Sequence, residues 1–237
     1  MQEIEDIEFG GSLKLTGPIK FGRIVASGSL KLEGSAEGKE LNVSGSASIE
    51  GSLKVRDLSV SGSAKIKELE SEEVKVSGSL SVDGNIKASM LNVSGSVKVN
   101  EKISTKELNI SGSLQAKSAT GSKLRVSGKA IAEELLFEEV RIGKESIVEA
   151  TVVGNEVIVE KEAEVERIIG GKVVIEREAE VEYVECEEAI IGREAEVMEV
   201  KYTKELKADP SAYIGKSEKI SSLSRELPRR NGKETLN

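Results

Sequence analysis

Residues 44–60 read Ser44-Gly45-Ser46-Ala47-Ser48-Ile49-Glu50-Gly51-Ser52-Leu53-Lys54-Val55-Arg56-Asp57-Leu58-Ser59-Val60. Their apolar residues come as pairs two apart: Ala47 and Ile49, Leu53 and Val55, Leu58 and Val60. An i, i+2 pair marks a short strand that shows one face inward. Three such pairs, each followed by small or polar residues, describe three short strands joined by tight turns.

The same stretch then begins again. The central glycines of the Ser-Gly-Ser motif fall at Gly28, Gly45, Gly62, Gly78, Gly95 and Gly112, with Gly11 before and Gly128 after, at steps of 16 or 17 residues. Further on the motif changes to Lys161-Glu162-Ala163-Glu164-Val165, Arg177-Glu178-Ala179-Glu180-Val181 and Arg193-Glu194-Ala195-Glu196-Val197. The third apolar pair nevertheless keeps one step through both halves, from Ile7/Phe9 through Leu58/Val60 and Leu124/Val126 to Ala189/Ile191, with Ala212/Ile214 continuing it after an insertion that includes Pro210. A repeat of this length with i, i+2 pairs cannot present a helical stripe, and helical solenoids use longer units. The prediction is an all-β, single-domain parallel β-helix (β-solenoid), right-handed, with three short strands per 16–17-residue rung and about 12–13 rungs. Its expected layout is a cap or partial rung over 1–10, a continuous β-helix over 11–200, an irregular last rung with an insertion over 201–215, and a flexible basic tail over 216–237. Aligning the two halves sets Gly45 opposite Lys161, Arg177 and Arg193, so no glycine-only backbone conformation is expected at that corner.

Composition agrees with a thin core: aromatics are 3%, there is no Trp, and 32% of residues are charged. Charge is unevenly spread. Residues 1–128 carry 17 basic and 16 acidic side chains, residues 129–215 carry 11 and 23, and residues 216–237 carry 6 and 3. A chain with one neutral and one acidic stretch lacks the clustered cations that phosphate contacts need, so no nucleic-acid partner is expected. Only the tail, with Arg229 and Arg230, offers a basic cluster, and its default reading is a solvated end.

The chain has no histidine, which removes Ser-His-Asp and Cys-His nucleophilic systems and the usual zinc sites. It also counts against the acyltransferase and carbonic-anhydrase branches of the left-handed β-helices, whose coil follows a stricter 18-residue hexapeptide pattern. The one cysteine, Cys186, lies among Glu185, Glu187 and Glu188, which raise a thiol pKa, and at an inward position, so it reads as a core residue. The columns Glu162/Glu178/Glu194 and Glu164/Glu180/Glu196 resemble the paired carboxylates of glycosidases only superficially. Identical residues recurring in each rung beside Lys161, Arg177 and Arg193 describe a solvated face laced by cross-strand ion pairs. No catalytic, cofactor-binding or metal residue is therefore predicted, and the chain is expected not to be an enzyme. With no apolar run long enough for a span and an acidic start, it is expected to be cytoplasmic.

Units such as Ser-Gly-Ser-Leu-Lys-Leu at residues 27–32, Ser-Gly-Ser-Val-Lys-Val at 94–99 and Val174-Ile175-Glu176-Arg177-Glu178-Ala179-Glu180-Val181 make the chain resemble the bactofilins, polymer-forming cytoskeletal proteins, over roughly residues 10–200. The resemblance implies a right-handed β-helical core with flexible tails that polymerises end to end without nucleotide or cofactor. Some bactofilins attach to membranes through an N-terminal tail; the short acidic start here is no such segment, so membrane attachment is not expected. Two function classes follow. One is a filament or scaffold subunit whose partner is itself. Its candidate contacts are Ile7, Phe9, Leu13, Leu15, Ile19 and Phe21 at one end, and Val197, Val200, Tyr202 and Ile214 at the other. The other is a monomeric or dimeric adaptor that binds another protein through the acidic C-terminal half.

Overall fold

The computed structural model describes residues 2–228. They form an all-β, parallel β-solenoid of about 13 turns, with no helix among them. By compactness the described residues fall into two units, residues 2–120 and 121–228. Unit 1 holds β1 (Gln2–Phe9), β2 (Ser12–Thr16), β3 (Ile19–Ala26), β4 (Ser29–Glu33), β5 (Ala36–Val43), β6 (Ser46–Val60), β7 (Ser63–Val76), β8 (Ser79–Val82), β9 (Ile86–Val93) and β10 (Ser96–Ile110). The unit boundary falls within β11 (Ser113–Val126). Unit 2 holds β12 (Lys129–Ile142), β13 (Ile147–Val159), β14 (Glu164–Ile175), β15 (Glu180–Ile191), β16 (Glu196–Ala208) and β17 (Tyr213–Lys219).

In unit 1 the inward pairs stack on like residues one rung away. Leu41 pairs with Leu58 and Val43 with Val60; Ala47 pairs with Ala64 and Ile49 with Ile66. All eight are buried. Each column thus packs aliphatic on aliphatic at the strand spacing, and the backbone ladder of one rung satisfies that of the next.

The corner after the third pair is where the two units differ. In unit 1 it is two residues long. Ser44 and Gly45 both donate their N–H to Ala26 O (2.9 and 3.1 Å), and Ser46 N–H donates to Gly28 O at 2.9 Å. That last bond holds the Gly28 carbonyl beneath Gly45. A β-carbon on Gly45 would lie 2.0 Å from the Gly28 oxygen and 2.4 Å from that of Ser27. Glycine is needed there after all, for close approach of two backbones rather than for an unusual φ.

In unit 2 the corner is four residues long. Glu160–Ala163 closes through Ala163 N–H donating to Glu160 O at 3.3 Å, and the fourth residue points inward, with Ala163, Ala179 and Ala195 at 0% exposure. The third residue takes the left-handed conformation: φ is 55° at Glu145, 59° at Glu162 and Glu178, and 56° at Glu194. Lys161 and Gly45 are therefore not structural equivalents. The two added corner residues are more than offset at the next bend, where inward Ala47 and Leu53 of β6 stand six apart but their counterparts Val165 and Ile168 of β14 stand three apart. The period survives because one bend grows as another shrinks.

The last turn also differs from expectation. Ala189 pairs with Leu206 and Ile191 with Ala208, so Leu206/Ala208 occupies the third-pair position. Ile214 pairs with Val197 on the first face. The Pro210 segment is no insertion but the ordinary four-residue corner Asp209–Ala212, closed by Ala212 N–H donating to Asp209 O at 3.0 Å. Ala-x-Ile fits either face, which is why spacing alone misplaces it. Residues 216–219, assigned to the tail by composition, belong to β17. Arg229 and Arg230 lie outside the described residues.

Candidate self-assembly surfaces

Ends are where a solenoid is incomplete, because an end strand leaves one row of backbone N–H and C=O groups unpaired. Among the described residues, β1 is in register with β3 alone and β2 with β4 alone. The other edge of each is open. Ile7, Phe9, Leu13 and Leu15 line this end and are half-buried, lacking the covering rung that their inward direction anticipates. Ile4 belongs with them: it pairs with Phe21, is half-buried, and was missed because it precedes the first complete pair. Ile19 and Phe21, by contrast, are buried one rung inside, at 0% and 4% exposure.

In unit 2, Val197 and Val200 are fully buried and paired with Ile214 and Ser217 of β17, so they too are interior. Tyr202 and Ile214 are half-buried at the final turn. Leu206 joins them there, together with Tyr213, which is 56% exposed. Four of the six residues predicted at the first end and two of the four predicted at the other thus lie on the outermost rungs, joined by one or two that pairing register alone reveals.

The remaining chemistry-bearing groups are structural. Burial pushes the Cys186 thiol up to about 12, with Glu185, Glu187 and Glu188 adding to the effect. Burial, then the hydrogen bond to Glu185, likewise raises Tyr183 to about 12. The Arg167 guanidinium covers the Tyr183 ring at 4.3 Å. At the long corners Lys161 pairs with Glu162 at 2.7 Å and across the rung with Glu178 at 3.2 Å, and its hydrogen bond to Glu162 holds that carboxyl below the ordinary carboxylate range. On the adjacent face Glu164, Glu180 and Glu196 stack in register along an open groove. No described residue clusters carboxylates and thiols in the way that would hold a metal ion. No described helix is long and apolar enough to cross a membrane.

One feature of the site is absent from the sequence-based expectation. The segment after β17 folds back over unit 2: Ile220 N–H donates to Tyr202 O at 2.9 Å, and Ser224 N–H donates to the Glu185 carboxylate. The signal was present as apolar doublets, Leu135-Leu136, Val152-Val153 and Ile168-Ile169, which break the i, i+2 alternation.

The family model described as GlmU-like, C-terminal hexapeptide matches residues 101–194, less than half of the chain. No curated protein and no solved structure matches. This similarity and the solenoid architecture agree on a β-helix repeat protein.

Proposed function

We propose that this chain is a non-enzymatic structural protein of the bactofilin type, a cytoplasmic subunit that joins copies of itself end to end without nucleotide. The observation that carries this reading is the open edge of β1 and β2, with Ile4, Ile7, Phe9, Leu13 and Leu15 half-buried and uncovered. An unpaired strand edge beside an apolar cross-section is a template for another chain, and a second solenoid end supplies both missing partners at once. The absence of histidine and the raised thiol of Cys186 support a role without catalysis. Negative-stain microscopy of the purified protein at micromolar concentration across salt conditions tests the proposal. Filaments are expected, and short isolated rods under every condition would refute them.

A second reading has its own support. In unit 2 the groove lined by Glu164, Glu166, Glu180, Glu182 and Glu196 concentrates carboxylates on one face, as an adaptor for a basic protein partner would. Isolated rods that bind a partner through this face would favour it.

A further inference from the structure

Outward residues of a rung are ordinarily charged and solvated. In unit 1 they are: Lys20, Glu37, Lys54, Glu70 and Lys87 stack in register between inward pairs, and all are exposed. The corresponding outward column of unit 2 reads Leu136, Val153, Ile169, Glu185 and Lys201. Val153, Ile169 and Glu185 point away from the core and yet are 0%, 5% and 3% exposed.

The chain's own residues 220–228 cover them. From β17 the segment runs back across β16, β15, β14 and β13. Ser224 N–H donates to the Glu185 carboxylate, which also accepts the Tyr183 hydroxyl at 2.9 Å. The Arg225 guanidinium pairs with Glu134 of β12. Asn155 Nδ2 donates to Pro228 O at 2.9 Å. Leu227 lies over Gly171, its Cδ1 3.4 Å from where a β-carbon of that glycine would stand. Carboxylates for an N–H and a guanidinium, an amide for a carbonyl, and an apolar floor for leucine side chains are the elements of a groove that reads an extended peptide.

We propose that the outer face over β12–β15 is a peptide-binding groove for the segment Ile220–Pro228, filled by the chain's own copy and, when that copy lifts off, by the same segment of a second chain. Lifting off is local. Beyond Ile220 the segment makes no ladder bond, and β17, from which it hangs, is mostly exposed and pairs with β16 alone. A released segment leaves Val153 and Ile169 bare, and an identical segment is the occupant whose groups match every seat. The link is lateral and does not depend on the end-to-end reading.

Two full-length variants test it, each in a Leu15→Glu background so that the β1–β2 end is disabled. In one, Arg225→Glu with Leu227→Asp leaves the groove intact but its own segment unable to seat. In the other, Ile169→Asp spoils the groove and frees the segment. Mixing them should give a one-to-one complex by light scattering that neither forms alone and that excess synthetic peptide 220–228 dissolves. No complex from two β-rich chains overturns the exchange. Labelled peptide should bind the first variant about tenfold or more tighter than wild type, because a tethered segment competes at high effective concentration. Equal binding to both overturns occupancy by the chain's own segment. Glu134→Arg in the first variant should weaken the peptide, and a peptide with Arg225→Glu should recover it; failure of that recovery would remove Arg225 from the recognition.

Discussion

Gly45 stands so close over Gly28 that a β-carbon on it would lie 2.0 Å from the Gly28 carbonyl oxygen. The contact recurs up unit 1, with Gly62 over Gly45 at 2.0 Å and Gly95 over Gly78 at 2.1 Å. Gly45→Ala should therefore force two rungs apart and cost about 1–3 kcal/mol, as overpacking does. Gly11 opens the same motif, but a β-carbon there meets nothing within 4 Å. Gly11→Ala should stay within about 0.5 kcal/mol of wild type. Urea denaturation of both variants checks the contrast, and equal losses would show that the corner needs glycine for another reason.

The long corners of unit 2 carry the opposite defect, since Glu178 holds φ at 59° with a side chain attached. A left-handed residue costs roughly 1–2 kcal/mol when it has a β-carbon. The ion pairs lost with it, to Lys161 at 3.2 Å and Arg177 at 3.3 Å, are surface pairs and contribute little. Glu178→Gly is expected to raise stability by about 0.5–1 kcal/mol. Glu180→Gly, two residues on and within β15, should lower it. The same urea series orders the three proteins.

Alkaline pH should act on the rung that holds Cys186 and Tyr183. Their ordinary values of 9.0 and 10.0 both rise to about 12 in the fold. A group with a raised folded pKa contributes stability that is whole below its unfolded value and is lost as pH climbs towards the folded one. The midpoint of urea unfolding should accordingly fall between pH 9 and pH 12, and less steeply in Cys186→Ala. The thiol should also resist a disulfide reagent at neutral pH until denaturant is added. Rapid labelling of the native protein would show that the rung opens there.

Leu15 tests the open end. Its register partner Leu32 is 1% exposed beneath it, while Leu15 itself is half-buried with no strand beyond it among the described residues. Leu15→Glu should abolish end-to-end assembly in micrographs and leave the β-sheet circular dichroism unchanged, because no rung packs on its outer side. Unchanged filaments would move the joint elsewhere.

Much of this was legible in particular residues. Leu41/Val43, Leu58/Val60 and Val173/Ile175 announce inward-facing strands, since alternation at a period of two reports burial wherever a strand has one wet face. Ala212/Ile214 shows the limit of that logic: such a pair fits any of the three faces, and only its register with β16 places it. Lys161 likewise sat opposite Gly45 by count while belonging to a corner of different length.

The sequence by itself determined the strand pattern, the 16–17-residue rung and the absence of histidine chemistry, because all three are written within one repeat or in composition. The partition of each rung among its bends, the open edge at β1 and the seat for residues 220–228 were decided only in three dimensions. Arg225 and Glu134 are 91 residues apart, and Ser224 and Glu185 are 39 apart. No local period relates them; they meet because stacking rungs turns sequence distance into a side face along which the end of the chain can run back.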